Sequence, residues 1–109
     1  MEPMNQDTAG LNGSWTHSVE EDVAGVLVYR PTHSFTFPLS RGGRESLVFS
    51  NDGQLVESAP GPDDRSRSTV SSWTALGMNR FSLGGTAAAP GRVIEVIEAT
   101  TDVLKLRFL

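Results

Sequence analysis

The chain has 109 residues, enough for one domain around one core. Its formal charge of −4 argues against the basic footprint of a general nucleic-acid binder. Cysteine is absent, which excludes disulfides, thiolate metal sites and a cysteine nucleophile.

Residues 1–10 read as a flexible arm, and residues 11–109 as one domain. The N-terminal stretch has no basic region followed by an apolar one, so no signal peptide is expected and a cytoplasmic location is favoured. No run approaches the roughly 18 apolar residues of a membrane-spanning helix.

From Leu11 the chain breaks into short β-like runs. Leu11, Gly13, Trp15 and His17 share one face, with Asn12, Ser14 and Thr16 on the other. Ser18 to Gly25 reads as one helical turn or a loop. Ala24 to Arg30 is a strand by its β-branched and aromatic content, with apolar residues on both faces. Pro31 to Gly43 is the longest loop-like segment.

Asn51-Asp52-Gly53, between two short apolar runs, predicts a tight hairpin, because Asp-Gly tolerates positive φ. Ala59 to Ser68 reads as loop from its Pro, Gly and charge content. Thr69 to Leu76 and Asn79 to Leu83 pair across Gly77 as a second hairpin, and Gly84 to Gly91 is a flexible linker. Val93, Ile94, Val96 and Ile97 fit a helix by spacing, but four β-branched residues in five positions favour a strand. Leu104, Leu106 and Phe108 alternate with Lys105 and Arg107, the two-residue period of a half-buried strand. About eight short strands with hairpin-length links predict an all-β fold, a single antiparallel up-and-down β-barrel. Such a ring is filled by side chains or holds one small ligand.

Gly13-Ser14-Trp15 on the first strand matches the Gly-x-Trp of the lipocalin-like (calycin) barrels, which the chain resembles. Asp52-Gly53, Trp73 and the final strand are similar to small bacterial lipocalin-like domains. The resemblance implies that Trp15 closes one end of the barrel and that Arg107 packs across it. The family's Thr-Asp-Tyr motif is absent and the chain is shorter than a full lipocalin, which implies a small calyx.

Charge is segregated along the chain. Residues 1–22 hold Glu2, Asp7, Glu20, Glu21 and Asp22 and no basic residue, whereas Val23 to Arg44 holds Arg30, Arg41 and Arg44 and no acid. Chemistry has few handles. His17 and His33 are the only histidines, so a metal site would need carboxylates, and a solvated acidic turn explains the same residues; no metal and no cofactor are expected. Tyr29, Arg30 and His33 could form a small acid/base site, but a core tyrosine with its hydroxyl at the rim accounts for Tyr29 as well. Arg30, Arg41 and Arg44 flank a segment carrying Phe35, Phe37, Gly42 and Gly43. This segment is either a lid that binds a partly apolar anion or a strand connection with buried phenylalanines and solvated arginines.

The leading expectation is a non-catalytic binding protein for a small apolar or anionic molecule. Its ligand-binding residues would be Tyr29, Arg30, His33, Arg41, Arg44 and Trp73. The alternatives are an isomerase- or cyclase-type enzyme using the same pocket, and a protein-interaction module with a filled core, plausibly a homodimer.

Overall fold

The computed structural model describes residues 11–39, 43–60, 66–85 and 90–109. The expected arm at residues 1–10, Arg41, and the centres of two expected loops, at 61–65 and 86–89, lie outside them.

The chain forms β1 (Gly13–His17), a 3₁₀ turn (Val19–Glu21), β2 (Leu27–Pro31), β3 (Ser46–Phe49), β4 (Gln54–Pro60), β5 (Ser66–Gly77), β6 (Arg80–Gly85), β7 (Pro90–Ala99) and β8 (Leu104–Phe108). They close into an antiparallel barrel in the order β1-β2-β8-β7-β6-β5-β4-β3. The all-β, eight-strand barrel expected from the strand rhythm is therefore what the chain adopts. Among the described residues no helix is long and apolar enough to cross a membrane.

Strands β3 to β8 run as a meander, each beside the next. The start of the chain departs from that rule: β1 lies between β2 and β3, paired antiparallel with both. β2 and β3 thus run parallel on either side of β1, and the described start of their connection, from Thr32, lies against the outer face of β1. Thr32 fastens it there: its hydroxyl accepts from Ser14 Oγ at 2.9 Å and bonds Thr16 Oγ1 at 2.8 Å. The ring is completed where β2 meets β8, at three residue pairs from Leu27↔Leu106 to Tyr29↔Leu104.

Registers define two ends. Gly13, Phe49, Leu55 and Leu104 lie toward one, where the hairpin turn at Asn51–Gly53 sits; His17, Leu27, Ser46 and Pro60 lie toward the other. The Asp-Gly turn has the chemistry its sequence implies. Gly53 takes φ +87°, its N–H donates to Ser50 O at 3.0 Å, and Asp52 Oδ1 accepts from Gln54 N.

The first end is packed solid. Trp73 lies edge-on to Phe49 with centroids 5.3 Å apart and tilts against Phe81 at 5.8 Å. Both indoles are buried and satisfied: Trp15 Nε1 donates to Leu11 O at 3.0 Å, and Trp73 Nε1 to Ser50 O at 3.1 Å.

Three local expectations need correction. Ala59, Pro60 and the segment Ser66 to Ser68 are strand rather than loop, because Ala59 pairs with Arg67 and Pro60 with Ser66. Pro60 is tolerated as the last residue of its strand, where its missing N–H costs no interior ladder bond. Gly84, Gly85, Pro90 and Gly91, expected in a linker, likewise extend β6 and β7, with Gly85 opposite Pro90. Arg107 does not pack across Trp15. Alternation along β8 turns it outward, where its Nη2 meets Glu95 Oε1 at 2.7 Å.

Candidate functional site

Arg30 and Arg44 lie on the outer surface, and both are already occupied by carboxylates of this chain. Tyr29 faces inward on β2, so Arg30 faces out. Its Nε and Nη2 donate to the two oxygens of Glu21, at 2.9 and 2.7 Å, and Nη1 donates to Asp102 O at 3.1 Å. Arg44 grips Glu20 in the same forked way, at 2.8 and 2.6 Å, and also donates to His17 O and Pro38 O. Two bonds per pair fix geometry as well as charge. The guanidiniums hold the carboxyls of Glu20 and Glu21 at a pKa of about 2, well below the ordinary range.

The phenylalanines of the crossing segment complete this belt. Phe35 and Phe37 pack edge to face at 4.8 Å, with Arg30 over the first ring and Arg44 over the second. The acid-free stretch and the acidic 3₁₀ turn are thus two halves of one clasp holding the crossover against β1. The anions that Arg30 and Arg44 bind are Glu21 and Glu20.

The other expected site residues do not converge. His33 is exposed in the turn after β2, at the opposite end of that strand from Tyr29's neighbour Leu27. Trp73 is a core residue of the packed end. Tyr29 lines a cavity at the second end of the barrel, and Arg30, His33, Arg44 and Trp73 are not part of its lining.

That cavity, about 380 Å³, opens at the second end of the barrel. Leu27, Tyr29, Leu47 and Phe108 supply apolar surface, while Glu45, Glu57, Arg67, Thr69 and Arg92 bring polar groups. Glu57 on β4 and Arg92 on β7 form an ion pair, although β5 and β6 separate their strands in the ring, so the pair bridges the lumen. The Arg92 guanidinium also lies over the Phe108 ring, 5.4 Å from its centroid. Arg67 and Glu45 line the same cavity and have no ion-pair partner among the described residues.

Tyr29 is buried, and its hydroxyl pKa is pushed well up, first by burial and then by the carboxylates of Glu45 and Asp22. A phenol in that state keeps its proton and serves as a hydrogen-bond donor rather than a base. His17, its register partner on β1, stacks on it with centroids 5.0 Å apart. His17 Nε2 lies 2.9 Å from Asp22 Oδ2, and Asp22 Oδ1 accepts the Val28 N–H at 2.9 Å, so this histidine is held by the β1–β2 connection.

Sequence reasoning missed Glu45, Glu57, Arg67 and Arg92 as cavity residues. The available signal was strand parity: Glu45 shares a face with Leu47, Glu57 with Leu55, and Arg92 with Ile94. Among the described residues no group of three or more His, Asp or Glu gathers to hold a metal ion. No protein-family profile matches the chain, and neither a curated protein nor a solved structure is significantly similar to it.

Proposed function

We propose that this barrel is a non-catalytic binding protein for a small amphipathic molecule carrying an anionic group, held in the cavity at its open end. The observation that carries the reading is the cavity itself. Its volume of about 380 Å³ lies within the range of small-molecule sites, and it joins apolar walls to an arginine, Arg67, without an ion-pair partner among the described residues. The anionic anchor moves from the arginines of the crossing segment to Arg67, with Arg92 beside it. The resemblance to lipocalin-like barrels through Gly13-Ser14-Trp15 supports the same reading, as does the closed eight-strand ring.

A catalytic use of the pocket through Tyr29 or His33 has less support. Tyr29 is held in its protonated form, and His33 stands in a turn away from it. The test is calorimetric titration with matched aromatic and fatty acids and the corresponding alcohols. Acids bind more tightly than alcohols, and Arg67→Ala removes the difference. Equal affinity for acids and alcohols would sink the anionic anchor, and binding by neither series would sink the cavity as a ligand site.

A further inference from the structure

We infer that the ligand of this cavity is dipolar: a small zwitterion of the amino-acid type, with its carboxylate on Arg67, its ammonium on Glu45, and its apolar body against Leu47, Leu27 and Phe108. The inference rests on the binding reading above and narrows its ligand class.

The lining carries two carboxylates and two guanidiniums, so it has no net charge. One of each sign is consumed by the Glu57–Arg92 bridge. What remains is one anion, Glu45, and one cation, Arg67, neither within ion-pair distance of a partner among the described residues. A ligand bearing only a carboxylate gains Arg67 but gives back part of that gain to repulsion by Glu45, while a lone amine faces the converse.

Register sets these two residues at one level. Ala59 on β4 pairs with Arg67 on β5, and Ser58 pairs with Ser46 on β3. Glu45, one residue before Ser46, continues that register on the far side of Ala59, and its carbonyl accepts the His17 N–H at 2.8 Å. Glu45 and Arg67 therefore flank β4, two strand spacings or about 9–10 Å apart along the wall. The residue between them is alanine, whose short side chain leaves the space between the two charges unfilled. A carboxylate and an ammonium carried on one carbon, as in an α-amino acid, present opposite charges to a guanidinium and a carboxylate on either side. Tyr29 lines the same cavity, so its phenol adds a donor to the site.

The experiment compares three probes that share one phenyl body: L-phenylalanine, 3-phenylpropionate and 2-phenylethylamine, titrated calorimetrically against the wild-type chain, Glu45→Gln and Arg67→Ala. Each charged contact is a charge-assisted hydrogen bond, so phenylalanine binds the wild type about tenfold or more tighter than either single-charge probe. In Glu45→Gln phenylalanine weakens while phenylpropionate strengthens, and the two converge. In Arg67→Ala phenylalanine weakens and phenylethylamine strengthens. Both positions are exposed at the rim, and matching thermal melts establish that the variants fold. If phenylpropionate equals phenylalanine on the wild type, the dipolar inference falls while the binding reading stands. If none of the three binds, both fall.

Discussion

Arg44 is bound to Glu20, 24 residues earlier in the chain, with 2.6 Å between Nη2 and Oε2. Its side chain is only 9% exposed, so the fork is shielded on the arginine's side although Glu20 faces water. The same guanidinium ties Pro38 and His17 by their carbonyls. One side chain thus joins the crossing segment, the end of β1 and the 3₁₀ turn.

Arg44→Ala therefore loosens the crossover along β1. The expected outcome is a fall in melting temperature of about 4–8 °C, the scale of one lost contact set in a domain of this size. Glu20→Gln lowers it less, since the amide oxygen still accepts. A thermal melt followed by circular dichroism separates the two, and hydrogen exchange localises the loss to residues 32–39 and 43–45.

Acid should weaken the same clasp. Glu21, bonded by Arg30 and by Ser18 Oγ, has its pKa lowered from 4.5 to about 2. A carboxylate whose folded pKa is depressed contributes stability that is complete above its unfolded pKa and is lost as pH falls through its folded one. The contribution of Glu21 is thus present above pH 4.5 and gone near pH 2. Because the pair is partly exposed, salt reduces the effect. Urea unfolding of wild type and Glu21→Gln across this window checks it: the two curves converge in acid and separate toward neutrality.

Gly91 admits no side chain. A Cβ there would stand 2.5 Å from the Leu83 carbonyl oxygen and 3.0 Å from the Gly84 carbonyl carbon, both backbone atoms of the facing strand. Gly91→Ala can be accommodated only by parting β6 from β7, at a cost of about 1–3 kcal/mol. The Ser82 hydroxyl, which accepts the Gly91 N–H and donates to Gly84 O, loses its geometry with it. Chemical denaturation gives the stability change, and unchanged stability would show that the two strands are not held this closely.

What the sequence made legible was local. The Asp52-Gly53 hairpin and the alternation of Leu104, Leu106 and Phe108 follow from turn chemistry and a two-residue period, which neighbouring residues carry by themselves. Strand order was not legible, because nothing local to β1 says that β3 rather than β8 will lie on its second side. The roles of the arginines were hidden for a related reason. Arg30 and Arg67 look alike as letters, yet parity turns one out to Glu21 and the other toward the cavity. Glu57 and Arg92, 35 residues apart, are brought together only by the curvature of the closed ring.

The seam between β2 and β8 has a consequence for how the chain is assembled in time. Leu27 waits for Leu106, in the last of the eight strands to leave the ribosome. Until then β2 presents an open backbone edge and the inner face of Tyr29 is uncovered. Contacts this distant in sequence form late and slowly. During synthesis the nascent chain is thus an unclosed sheet, and the cavity is walled in only when the eighth strand docks against β2.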